Sequence, residues 1–424
     1  MSNLRASKRS FEGFYPFFSR SCTSLHLFSL SFLYILGNHI AASKEPDDAL
    51  LVSITSGLVE GHAVSDGYTS PHVPIAEFLG IPYAEPPVAA LRWQPPVPRA
   101  PWQGTFQASQ YGDSCVQTTM ALINTTYQPQ SEDCLSINVW TPMSALQQGT
   151  ALLPVLVFVH GGGFILGSSN DPTLNGSSLS TNGPAVVVTF NYRLGGFGFL
   201  ALEDLAQEQP QTHTTGNYGI LDQQLALQWV KANIQSFGGD PERVTLFGQS
   251  AGGNSMFIHY VSQQSKDLFS AIIVESGFYR GYYDLPDGYA PGNSFVQSSP
   301  CNASMTSAAL LNCLRSLPAQ SVLNLTGSCQ WLPVIDGYVL EDYADVLVEK
   351  GKFNRVPMMA GGVRNEGTIT VDIIFGDSFG TLQYNTYTLA LYTPLVGATE
   401  VCTLLVKRGQ TFVEECLHTT HVAT

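Results

Sequence analysis

Val244-Thr245-Leu246-Phe247-Gly248-Gln249-Ser250-Ala251-Gly252-Gly253 reads as a short apolar, β-prone run, a Gly-x-Ser-x-Gly turn and a small-residue helix start. That order is a nucleophile elbow. A strand runs into a tight turn, and Gly248 and Gly252 leave space where any side chain would clash. Ser250 then stands strained and exposed at the head of a helix, where backbone N–H groups favour developing negative charge. A Gly-rich chain can produce these five positions by chance, so the reading rests on context. It needs a strand before the turn, a helix after it and a Gly-rich turn upstream.

Working outward, the chain supplies that context. Pro154–Val159 is a continuous apolar run of buried parallel-strand type, ending in His160-Gly161-Gly162-Gly163-Phe164. Ala185–Phe190 is another such strand, ending at Asn191-Tyr192-Arg193. Leu221, Leu225, Trp229, Val230, Ile234 and Phe237 recur at helical spacing, and Gly238-Gly239-Asp240-Pro241 stops the helix. A helix follows the elbow to about Val261, Leu135–Trp140 reads as a strand, and Ala271–Val274 and Val356–Ala360 read as further buried strands. Ile75–Trp102 alternates short apolar runs with Gly and Pro, which reads as irregular, edge-like chain. Strands alternating with helices predict an α/β fold, a mainly parallel, doubly wound sheet flanked by helices. With no internal repeat or low-complexity linker, one large domain is expected.

The 424 residues are 44% hydrophobic and only 12% charged, ample for a core and unlike a disordered chain. A formal charge of −14 argues against nucleic acid and anionic lipid as partners. Residues 1–42 read as a signal peptide: Arg5, Lys8, Arg9 and Arg20 precede the apolar run Leu25–Leu36 and the small-residue end Ile40-Ala41-Ala42. A signal anchor is the alternative, and no second hydrophobic stretch of spanning length follows. Secretion fits the sequons at Asn124, Asn175, Asn302 and Asn324, all in polar, loop-like settings. It also fits the cysteines, whose local spacing suggests Cys115 with Cys134 and Cys301 with Cys313. Cys329, Cys402 and Cys416 are left as an odd set.

In such a sheet, ligands bind at the carboxyl ends of the strands, and three candidate groups fall there. Ser250 is the candidate nucleophile. The backbone N–H groups of Gly162, Gly163 and Ala251 are natural donors to an oxyanion. Glu366, at the end of a later strand, is an acid that could orient a histidine. His160 precedes the glycines and reads as structural. No cofactor or metal is called for.

Several longer motifs resemble the type-B carboxylesterases, the family of the cholinesterases and fungal lipases. They are Phe78-Leu79-Gly80-Ile81-Pro82-Tyr83-Ala84, Ser131 to Trp140, His160 to Phe164, Asn191 to Gly195, Gly216 to Gln223, Phe237 to Pro241 and the elbow itself. The likeness runs from about residue 55 to about 370. It implies an α/β-hydrolase fold and an esterase that acts on small-molecule esters. It implies Ser250 as nucleophile, Glu366 as triad acid, and Gly162, Gly163 and Ala251 as the oxyanion hole. It further implies disulfides Cys115–Cys134 and Cys301–Cys313, and structural ion pairs Arg92 with Glu132 and Arg193 with Asp222.

The chain also departs from the pattern. Gln249 stands where an acidic residue is usual before the nucleophile. The segment between Cys115 and Cys134 is short and has no tryptophan, which disfavours a choline substrate and a lipase lid. The triad order Ser, acid, His requires a histidine after Glu366, and only His418 and His421 follow it. Neither has the family's Gly-rich context, so both read as tail residues. The resemblance fades after about Leu395. The expected organisation is therefore a signal peptide over 1–42, the hydrolase domain over 43–395 and a divergent tail over 396–424, with the last strand, its helix and the histidine missing. Two functional readings follow: a secreted serine esterase, or an inactive or binding-only chain on the same fold.

Overall fold

The computed structural model describes residues 50–65, 74–118, 129–147, 151–301, 304–327 and 329–364. The 1–42 segment, the 396–424 tail, Asn124, Asn302, Glu366, Cys402, Cys416, His418 and His421 lie outside the described residues. The elements below belong to the unit Arg20–Gly362.

Ten strands join in one sheet. They are β1 (Leu50–Ile54), β2 (Gly57–Ser65), β3 (Pro74–Pro82), β4 (Thr105–Gln107) and β5 (Ser136–Pro142). Then follow β6 (Leu153–Val159), β7 (Val186–Phe190), β8 (Gly239–Gln249), β9 (Ala271–Glu275) and β10 (Met358–Gly361). The spatial order is β1-β2-β3-β5-β7-β6-β8-β9-β10, with β4 beside β2. From β7 to β10 every neighbour is parallel, whereas β1, β2, β3, β5 and β7 pair antiparallel. The parallel half carries the elbow, and an antiparallel meander extends it. Strands form where the apolar runs stand, and every residue of β5 and β7 is buried, as a strand covered on both faces requires; β10, expected as a buried strand, instead has Met358 half-buried and Met359, Ala360 and Gly361 exposed.

One expectation is corrected. The first part of Ile75–Trp102 is not edge-like chain: β3 lies inside the sheet between β2 and β5, with Ile75 through Ile81 buried. The glycine that suggested irregularity marks a bulge. Register slips between Phe78 and Ile81, and Gly80 sits at φ +68° with the Gln110 carbonyl 2.5 Å from where a Cβ would be. Asn138 accepts the Gly80 N–H at 2.9 Å and so satisfies the group that the bulge displaces.

Helix α1 (Tyr218–Asn233) continues as a 3-10 turn to Phe237 and stops at Gly238, as its spacing predicts. It buries more than its apolar stripe, for Asp222, Gln223 and Gln224 are also covered. Helix α2 (Ala251–Val261) leaves the elbow, and α3 (Leu285–Ser298), α4 (Ser307–Ser316) and α5 (Ala319–Thr326) fill the excursion between β9 and β10.

Two buried ion pairs lock loops to this frame. Arg193 grips Asp222 of α1 through Nε at 2.8 Å and Nη2 at 2.7 Å, and its backbone N–H donates to the same carboxylate at 2.9 Å. Arg92 grips Glu132 at 2.7 and 2.5 Å. Its remaining nitrogen donates to the carbonyls of Leu314, Arg315 and Leu317, which caps the C-terminal end of α4 with a cation. Both expected disulfides are present, Cys115–Cys134 and Cys301–Cys313. Cys329 is disulfide-bonded as well.

Asp222→Asn should leave the buried Arg193 guanidinium without its counter-charge and cost about 3–5 kcal/mol, read as a lower urea midpoint. Acid should weaken the fold through two histidines. Burial holds the His259 ring down to about 3 and the His160 ring down to about 4, against 6.5 when unfolded. Between those values the unfolded chain binds the protons. Stability is therefore full above 6.5 and falls with pH below it, by about 1.4 kcal/mol per unit for each ring. Urea midpoints that stay flat between about pH 7 and 5 would contradict this.

Candidate active site

The elbow forms because two backbones cross with no room between them. Ser250 has φ 56° and ψ −119°, a conformation strained for a side-chain-bearing residue. Its N–H donates to the Glu275 carbonyl at the end of β9 (2.9 Å), and its carbonyl accepts the first α2 bond from the Asn254 N–H (2.8 Å). A Cβ on Gly252 would lie 2.0 Å from the Val159 carbonyl oxygen, and one on Gly248 would lie 2.7 Å from Gly252 backbone. The two glycines of the motif are therefore required by contact. Ser250 is half-buried, and Gln249 beside it is exposed.

The glycine run comes from the end of β6, the neighbour of β8 in the sheet. It reaches the serine: a Cβ on Gly161 would sit 2.8 Å from the Gln249 carbonyl and 3.2 Å from Ser250 Cβ. Gly162 and Gly163 then turn at φ +108° and +62°, and the Gly162 carbonyl accepts the N–H groups of Ile165 and Leu166. Tying the run down from outside, Gln117 of the disulfide loop accepts the Gly167 N–H at 2.8 Å and donates to its carbonyl at 2.9 Å. The N–H of Gly195 donates to the Phe164 carbonyl at 2.7 Å.

His160 is held as scaffold. It stacks on Tyr192 at 4.3 Å between centroids, and the Tyr192 hydroxyl donates to the His160 carbonyl at 2.9 Å. Its Nδ1 lies 2.9 Å from the Gly161 carbonyl and so carries the proton. Burial keeps it neutral.

The residues singled out in the sequence thus divide. Ser250, Ala251, Gly162 and Gly163 share one corner at the carboxyl ends of β6 and β8. Glu366 lies outside the described residues. Of the sequons, Asn175 and Asn324 are exposed, Asn324 within α5. Sequence reasoning passed over Gly161, the glycine that touches the elbow most closely, although its place in the run was a signal. It also passed over Gln223, Ser255 and His259, whose polar character gave no hint of burial behind the elbow. No group of acidic, histidine or cysteine side chains among the described residues is placed to hold a metal. No helix there is long and apolar enough to cross a membrane.

Known proteins are similar to this chain. The carboxylesterase family matches residues 48–398. The chain is 35% identical over 377 residues to a fumonisin B1 esterase of Sphingopyxis macrogoltabida, covering 88% of this chain and 67% of that protein. It is 34% identical over 364 residues to an acylcarnitine hydrolase of Mus musculus, covering 82% and 61%. With an acetylcholinesterase of Electrophorus electricus the identity is 36% over 324 residues, covering 69% and 48%. The chain therefore spans between 48% and 67% of the length of these curated relatives. Because the family match takes in every strand that shapes the elbow, from β1 to β10, the chain belongs to the carboxylesterase family and has its α/β-hydrolase fold.

Proposed function

We propose that this chain is a serine hydrolase of carboxylic esters that works through an acyl-enzyme. The observation that carries the reading is the strained Ser250 at the head of α2, with the glycine run against it. In this reaction Ser250 Oγ attacks the ester carbonyl carbon, and the serine proton passes by way of a general base to the departing alkoxide, which leaves as the alcohol. The developing oxyanion is held by the N–H groups of Ala251, Gly162 and Gly163, which need no reorganisation because their backbones are fixed on both sides. The alcohol departs, and water then releases the acid. Glu366 takes the place of the orienting acid in the family's order. His160 and His259 are buried, neutral and bonded elsewhere, so neither is offered as the base.

The relatives' names, an esterase, a hydrolase of acylcarnitine and a cholinesterase, support ester chemistry. They do not fix the alcohol. Beside Ser250 the exposed Gln249 offers a neutral amide, and the Cys115–Cys134 segment has no tryptophan to stack on a quaternary ammonium. A small or medium neutral ester fits those surroundings better than choline. The disulfides and the exposed Asn175 and Asn324 support a secreted, glycosylated protein.

The purified chain should hydrolyse p-nitrophenyl butyrate and take a fluorophosphonate label at Ser250. Ser250→Ala should lose the label and fall to background, and hydrolysis surviving that change would sink the reading. Gly162→Ala would put a Cβ 2.1 Å from the Leu166 carbonyl at a φ of +108°. It should lower kcat by about 10²–10³, the range for a lost oxyanion donor.

A further inference from the structure

Behind the elbow lies a row of buried polar groups that the proposed reaction does not use. Ala251, Ser255 and His259 recur every fourth residue and so share one face of α2. Gln223 of α1 meets that face, and exposure is 0% at Gln223, Ser255 and His259. The hydrogen bonds run in one direction. Gln224 Nε2 donates to Ser265 Oγ at 3.1 Å and to Ser262 Oγ at 3.2 Å. With that bond accepted, Ser265 gives its own proton to His259 Nδ1 at 2.9 Å. The histidine proton is then on Nε2, which donates to Gln223 Oε1 at 2.9 Å. Gln223 Nε2 donates to Ser255 Oγ at 3.1 Å, and Ser255 donates to the Ala251 carbonyl at 3.0 Å. With the Gln223 and Gln224 amides in this orientation, each hydroxyl and ring nitrogen of the row is satisfied.

The row ends on the residue whose N–H faces the reaction. At that end α2 has no slack, for Gly252 lies against the Val159 carbonyl, and a Cβ on Gly253 would meet the Glu275 carbonyl at 2.8 Å. Rotation or sliding of the first turn would either drive it into those backbones or lift it away. The row sets which of these is prevented. The bonds from Gln223 of α1 to Ser255 and His259 fix the roll of the helix, and Ser255 carries that hold along α2 to the Ala251 carbonyl and hence to the direction of the neighbouring N–H groups.

We infer that Gln223, Ser255 and His259 are positioning residues, a hydrogen-bond row from α1 that aims the Ala251 end of α2 at the oxyanion. The inference rests on the serine-hydrolase reading above. Oxyanion donors act in proportion to their alignment, and displacement of a reacting or binding group by about an ångström is enough to cost up to 10²-fold in rate.

A structural control is available at the other end of the same helix. Asn354 Nδ2 donates to the carbonyls of His259 and Ser262 at 2.8 and 3.1 Å, clamping the exit of α2 without entering the row. Ser255→Ala and Asn354→Ala should be compared with the wild-type chain by thermal melting, steady-state hydrolysis of p-nitrophenyl butyrate and the rate of fluorophosphonate labelling. The positioning role predicts that Ser255→Ala lowers kcat and the labelling rate together, by about tenfold, with KM within about twofold. Asn354→Ala should lower the melting temperature at least as much and keep kcat. Equal kcat in Ser255→Ala and wild type, or a kcat that simply follows the melting temperature in both variants, would overturn the positioning role. A wild-type chain that neither labels nor hydrolyses would overturn the serine-hydrolase reading instead, and the positioning role with it.

Discussion

The carbonyl oxygen of Val159 is the point on which this structure turns. It ends β6, and both glycines of the Gly-x-Ser-x-Gly motif lie so close to it that neither tolerates a Cβ. That single approach forces the chain from β8 into α2 within one residue, and Ser250 absorbs the sharp turn in its backbone angles. The glycine run starts from the same strand end, two residues past that carbonyl. Serine and run are thus aligned by adjacency in the sheet, since β6 and β8 pair in parallel register up to Val159 and Gly248. The strain is local, and its support is the whole parallel half of the sheet.

Around that point the fold is tied by side chains reaching far along the sequence. Arg92 joins the disulfide loop to the end of α4, and Gln117 holds the far end of the glycine run. Arg193 binds the loop after β7 to α1. These groups are polar and buried, and each has its partners within reach, as burial of charge requires. What they share is that each joins segments far apart in the chain: Arg193 a loop to a helix, Arg92 a loop to a helix end and Gln117 one loop to another. The corner that holds Ser250 is therefore framed by satisfied polar contacts and not by apolar packing alone.

Much of this was legible beforehand because it is local. Apolar runs such as Val155 to Val159 fix a strand by composition, and the stripe from Leu221 to Phe237 fixes a helix by period. The elbow could be read because its glycines answer to a contact that any such turn must make. Two things were not legible. The Gly80 signal means a bulge or a chain end equally well, and only the neighbouring strands β2 and β5 decide which. Gln223 and Gln224 fall outside the apolar stripe of α1, yet the helix is covered there, and their partners Ser255, Ser262 and Ser265 lie beyond the elbow. Polar pairing at such separation leaves no period or spacing to find.

The excursion between Glu275 and Met358 carries a consequence for how the molecule assembles. Strand β10 pairs with β9 only after α3, α4 and α5 have been laid out between them, and parallel neighbours cannot be joined by a short hairpin. Closing so long a loop costs entropy before any contact rewards it, which is the feature that slows folding in chains rich in distant pairings. The antiparallel meander β1-β2-β3 has no such delay in joining β1 to β2, whose partners are near in sequence. Assembly is therefore asymmetric across the sheet: β8 takes its neighbour β9 across a short connection, whereas β10 joins the far side of β9 only after the long excursion is closed.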